Sequence, residues 1–142
     1  SKMLFIVACG NGGIAGKGYD TDIYPVYPAS FPFDNVISVA NLLFDGSLSR
    51  DSNYGAASVD IAAPGTYIVS TLPGNNYGFM SGTSMAAPMV TGVAAMLYSY
   101  RPEISLSDVK NILLNSSRKL DQLSGKMVSG GMLDAYAALS YQ

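Results

Sequence analysis

Between Ile61 and Tyr100 the sequence carries no Asp, Glu, Lys or Arg. A helix inside that span lacks a charged, solvated face, and it is expected to lie within the protein. Gly82 to Leu97, GTSMAAPMVTGVAAML, reads as that helix, with Ala86, Ala87, Met89, Val90, Val93, Ala94, Met96 and Leu97 giving it helical, apolar character. It opens on the small pair Gly82-Thr83 and places a hydroxyl at Ser84. Pro88 falls in about the first turn, where a missing N–H costs little because the first four helical amides have no intrahelical acceptor. Those amides and the positive end of the helix dipole would face whatever reacts at Ser84. A second reading of the same residues is a cap, with Ser84 or Thr83 satisfying the first helical amides.

Upstream, Leu4-Phe5-Ile6-Val7-Ala8-Cys9 is a short unbroken apolar run ending at glycine. It predicts a central parallel strand buried on both faces. Gly16 to Phe33 is loop-like, held extended by Tyr24-Pro25, Tyr27-Pro28 and Phe31-Pro32. Asn35 to Leu42 alternates with β-branched residues and predicts the next strand, with a turn at Asp45-Gly46. Tyr67 to Thr71 predicts another, turning at Leu72-Pro73-Gly74. Near the end, Ser107 begins a capped amphipathic helix running to about Leu114, and Asp134 caps a terminal helix through Leu139. Both are packing elements. No repeat, linker or low-complexity tract divides residues 1–142, so they form one cooperative unit or part of one, with a mainly parallel α/β fold.

Composition narrows the function. The 142 residues are 49% hydrophobic and 13% charged, enough for one domain with a large buried share. A net charge of −2 and a pI near 4.7 give no footprint for nucleic acid and no basic amphipathic segment for a membrane. The charge-free span is broken by Pro64, Gly65, Pro73, Gly74, Asn75 and Asn76. Its uniform helical part falls short of the roughly 20 residues a bilayer requires. A single cysteine makes no internal disulfide and leaves the redox compartment open. Leu4 to Val7 is too short for a signal peptide. The histidine count is zero, so the usual base for a serine nucleophile is missing. A Ser-Lys pair is missing too, because the third residue after Ser84 is Ala87.

Gly10 to Ala15 formally fits the dinucleotide fingerprint G-x-G-x-x-A after a strand. That fingerprint needs a helix to follow, whereas Gly16, Gly18, Asp20, Asp22, Pro25 and Pro28 break helices. The same stretch, VACGNGG, resembles the (A/S)-(A/S)-G-N-x-G segment of the subtilisin-like serine proteases. GTSMAAP is similar to that family's GTSMA(S/A/T)P serine motif. Ser58 to Gly65, SVDIAAPG, resembles its V-D-(L/V)-(A/M)-A-P-G; Tyr27-Pro28-Ala29 resembles its YPA; Gly131 to Ala135 resembles its ending, with Ser129 where a glycine is usual.

The resemblance runs from Leu4 onward and corresponds to the later half of the family's catalytic domain. It implies a mainly parallel sheet with helices on both faces. It also implies that Ser84 is the nucleophile and that the Asn11 side chain donates to the oxyanion, assisted by the Thr83 hydroxyl. Substrate backbone would lie along Ala8-Cys9-Gly10 as an added strand. The family's Asp and His would come from an upstream segment, as a cleaved partner or another part of a longer polypeptide. The substrate would be a peptide or protein, and the location secreted or cell-envelope. No cofactor is implied. Related proteins hold a cation through backbone oxygens near the segment matching Tyr27 to Ser30, which raises a structural calcium, although the spacing of Asp20, Asp22 and Asp34 matches no metal loop. Met89 stands where the family has a structural histidine and is expected to fill the core flexibly. Cys9 reads as a small buried hydrophobe beside the substrate pocket and as a mercurial target. The rival reading is a non-catalytic binding or structural domain that keeps this fold.

Overall fold

The computed structural model describes residues 3–142. Strands β1 (Phe5–Ala8), β2 (Val36–Leu42) and β3 (Ile61–Pro64) lead into a hairpin, β4 (Ile68–Leu72) and β5 (Asn76–Met80), which delivers the chain to helix α1 (Thr83–Tyr100). Helix α2 (Leu106–Asn115), the short strands β6 (Arg118–Lys119) and β7 (Gly131–Met132), and helix α3 (Ala135–Ser140) complete it. The main sheet has the order β1-β2-β3-β7-β6. Its β1–β2, β2–β3 and β3–β7 pairs are parallel, and only β6 runs against its neighbour.

The mainly parallel sheet with helices is the expected class, and β2 shows why it forms. All seven of its residues are buried, because both faces of the strand are covered. Ile37 and Val39, with Ile61 and Ala63 of β3, face α1, α2 and α3 through Val90, Leu97, Leu113 and Ala138. On the other face Ala40, Leu42 and Ala62 pack with Cys9, Val59, Leu123 and Met127, supplied by loops and a single 3-10 turn at Asp121–Leu123.

Three expectations are corrected. The Leu4–Cys9 run is a strand, but β1 lies at the sheet edge with β2 as its one neighbour, leaving Phe5 45% exposed and Ile6 to Ala8 half-buried. Helix α1 buries one side only, through Thr83, Ala86, Ala87, Val90, Val93, Ala94 and Leu97. Its other side, including Ser84, Pro88, Met89, Gly92 and Met96, is exposed because no element of the described residues covers it. Met89 is therefore not core filling. Helix α2 starts at Leu106, capped by Ser105, whose hydroxyl accepts from the Asp108 amide at 3.1 Å. The Asp134 cap on α3 is as expected, accepting from the Ala137 amide at 2.8 Å. No helix among the described residues is long and apolar enough to cross a membrane.

Candidate active site

At the C-terminal end of β1 the chain turns through Gly10 and puts Asn11 at the exposed tip of a loop. The hairpin returns the chain to the same place at Gly82, where α1 begins. The Asn11 side-chain oxygen accepts from the Thr83 amide at 2.8 Å and from the Thr83 hydroxyl at 3.0 Å. Convergence of a backbone N–H on that atom identifies it as the oxygen, so Nδ2 remains a donor with no acceptor among the described residues. Gly82 makes this approach feasible. Its φ is +147°, and a Cβ there would sit 3.3 Å from both Oδ1 and Nδ2 of Asn11.

Ser84 follows Thr83 and is exposed. The capping alternative fails, because the N-cap is Gly82 and neither the Ser84 nor the Thr83 hydroxyl accepts from a helical amide, that of Thr83 donating to Asn11 instead. The Ser84 hydroxyl has no hydrogen-bond partner among the described residues. Its amide is likewise one of the helix-start donors with no intrahelical acceptor, whereas the Met85 and Ala86 amides turn to the Gly82 carbonyl. Two donors without acceptors among the described residues, the Asn11 Nδ2 and the Ser84 N–H, thus lie with the Ser84 hydroxyl at the start of an 18-residue helix, its positive end. A groove of 400 Å³ opens from Ser84 between α1 and the hairpin, lined by Ile68, Leu72, Met80, Met85, Pro88 and Met89.

The other predicted site residues are placed less simply. Thr83 is 0% exposed and its hydroxyl is committed to Asn11, so it stands behind the amide and not against a ligand. Cys9 is also withdrawn: its N–H donates to the Val39 carbonyl, its carbonyl accepts from the Asn53 side chain, and its thiol donates to the Asn53 carbonyl at 3.2 Å. Cys9 is 1% exposed, and burial pushes its thiol up to about 12. Ala8 remains available. The alternation of the β1–β2 pairing turns its backbone to the edge that has no neighbouring strand. Gly10 keeps its φ of +103° and approaches Asn53 so closely that a Cβ would lie 2.6 Å from Nδ2.

The acidic residues of the Asp20–Asp34 loop do not gather. Among the described residues no three of His, Cys, Asp and Glu come together. The Asp22 carboxylate accepts from the Ala57 and Ser58 amides and from the Ser58 hydroxyl. Desolvation pushes it up, but these bonds outweigh it and hold it below its ordinary value. Beside Ala29 and Phe31, the Lys110 ammonium already sits 3.0 Å from Asp60 and donates to the Val36 carbonyl.

Ser52 and Asn53 were not among the residues singled out from the sequence. Both are 1% exposed, and they tie the loop carrying Asn11 to the centre of the sheet. Two buried polar side chains in a row are a signal only once the fold shows that they are buried.

The mainly parallel sheet thus brings the start of a helix carrying a serine against an asparagine just beyond a strand end. The chain belongs to the subtilase family, peptidase S8, whose model matches residues 1–131. It is 39% identical over 142 residues to subtilisin-like protease 2 of Plasmodium falciparum, a match covering 96% of this chain and 10% of that protein. It is 40% identical over 128 residues to subtilisin-like protease 1 of the same organism, covering 85% of this chain and 19% of the relative. Among solved structures, the A-subunit of the AB5 toxin from E. coli superposes with a TM-score of 0.80 at 31% identity, over 96% of this chain and 50% of that one. A protease of Pseudoalteromonas arctica superposes with a TM-score of 0.83 at 27% identity, over 98% and 42%. The chain thus spans a small part of the curated relatives and about half of the solved ones.

Proposed function

We propose that this chain carries the nucleophile and the oxyanion donors of a serine endopeptidase, and that the base comes from a histidine-bearing segment outside these residues. The observation that supports it most is the Asn11 amide, locked by Thr83 with its N–H₂ free, one residue from an unbonded Ser84 hydroxyl. In this reading Ser84 Oγ attacks the peptide carbonyl carbon and its proton passes to the supplied histidine, oriented by an aspartate. The oxyanion accepts from Asn11 Nδ2 and the Ser84 N–H, donors already aimed before charge develops. Collapse expels the amine with the histidine's proton, and water then releases the acyl group by the same steps. The substrate backbone pairs with the open edge of β1 at Ala8. With no histidine in the chain, the lone chain is expected to be inactive.

The test is an active-site-directed fluorophosphonate applied to the complete protein. Ser84 is expected to carry the label, and Ser84→Ala should lose both label and turnover, down to the residual rate that binding and the oxyanion donors sustain. Labelling of another serine, with Ser84→Ala still fully reactive, would contradict the assignment. The absence of label on every serine would favour the non-catalytic reading.

A further inference from the structure

The tip residue Asn11 is held by its side chain alone. Its own backbone N–H and C=O have no partner among the described residues, so the direction of its amide depends on how its neighbours are fixed. Those neighbours converge on one buried side chain, Asn53. Its Nδ2 donates to the Cys9 carbonyl at 3.1 Å, and its Oδ1 accepts from the Gly12 amide at 2.9 Å and the Tyr19 amide at 3.2 Å. Its backbone N–H donates to the Gly10 carbonyl at 2.9 Å. The residues on both sides of Asn11 are therefore bonded to the same amino acid.

Asn53 is itself anchored. Its carbonyl accepts from the Cys9 thiol and, at 3.0 Å, from the Ser52 hydroxyl, and the Ser52 oxygen accepts from the Asn41 amide of β2 at 3.0 Å. A chain of bonds thus runs from the fully buried central strand to the exposed loop tip. Both polar atoms of the Asn53 side chain are bonded, which makes the network rigid instead of costly.

We propose that Asn53 is a positioning residue for the oxyanion donor: it fixes the loop on both sides of Asn11, so that the amide stays where the transition state needs it. The proposal rests on the reading of Asn11 as that donor. An asparagine suits the task because one atom must donate to a carbonyl while its partner accepts two amides, which neither Asp nor Ser can do. Displacement of a catalytic group by about 1 Å can cost on the order of 10²-fold in rate.

The experiment is a kinetic double-mutant cycle in the complete protease, with Asn11→Ala, Asn53→Ala and the pair together. Asn53→Ala should lower kcat by roughly 10- to 100-fold with KM unchanged. In the Asn11→Ala background the same change should cost less than about twofold, because the group it positions is gone. Equal losses of kcat in both backgrounds would reduce Asn53 to general support and overturn the proposal, as would a loss carried in KM. If Asn11→Ala alone left kcat intact, the oxyanion reading itself would fall, a result distinct from either. Should Asn53→Ala not fold, the isosteric Asn53→Asp goes through the same cycle. It keeps the acceptor for Gly12 and Tyr19, replaces the donor to Cys9 with a carboxylate oxygen and adds a negative charge. A kcat loss that disappears without the Asn11 amide supports the proposal, and one that persists contradicts it.

Discussion

Two sides of Ser84 are built to opposite rules. On the side of Asn11 the loop is closed from within: Thr83 holds the Asn11 amide, Asn53 holds the backbone around it, and Gly82 leaves room for the contact. On the side of the groove, Met80, Met85 and Met89 line open space, the outer face of α1 is uncovered, and β1 ends the sheet with Phe5 exposed. The closed side carries donors, which must be aimed before reaction to be effective. The open side is apolar and lacks the base. An apolar surface of this kind beside Ser84 is what a covering segment would bury.

Three substitutions separate the sides, beginning with the largest expected effect. Gly82→Ala attacks the closed side directly, because the added Cβ would meet the Asn11 amide at 3.3 Å in a backbone of φ +147°. In the complete protease it should lower kcat by about 10²-fold, and steady-state kinetics showing an unchanged kcat would mean that the contact is not needed. Met89→Asp attacks the open side. It should destabilise the complete protein by more than about 2 kcal/mol, as a buried unpaired charge does, yet change the 142-residue chain by no more than about 0.5 kcal/mol. Equal denaturant midpoints for wild type and variant in the complete protein would show that nothing covers this face. Cys9 gives the smallest effect and reads the closed side by pH. Its thiol, ordinarily near 9.0, is raised by burial to about 12, so stability associated with the protonated thiol is whole below about 9 and is lost as pH climbs towards 12. Cys9→Ala should flatten that alkaline loss, and a thiol reagent at pH 8 should react only after unfolding.

Much of this was legible in the sequence, and the failures have physical causes. β2 and α3 announce themselves through local signals, β-branched residues in one and an Asp cap in the other, and both stand where expected. Asn11 and Ser84 were singled out because their neighbours form contiguous motifs. β3 was missed because Ile61–Pro64 is four residues without alternation, and what makes it a strand is its parallel pairing with distant β2. β5 was missed because Asn76–Met80 gains its strand from the β4 hairpin, through a turn with Gly74 and Asn75 at positive φ. The absence of charge on α1 was read as burial on every side. The exposed Pro88, Met89 and Met96 correct that reading: a charge-free helix can leave one face uncovered by the described residues. Asn53 left no local trace, since its bonds join Cys9, Gly12 and Tyr19 across more than thirty positions.

The central claim is that the donors are complete in this chain while the base is not. Its most direct test is peptidase activity of the purified 142-residue chain, its sole presence confirmed by mass spectrometry, before and after adding the segment of the parent protein that carries the aspartate and histidine. The account predicts no hydrolysis by the chain alone and Ser84-dependent hydrolysis once the segment is bound. Ser84-dependent hydrolysis by the lone chain would contradict it, because none of its residues is a histidine.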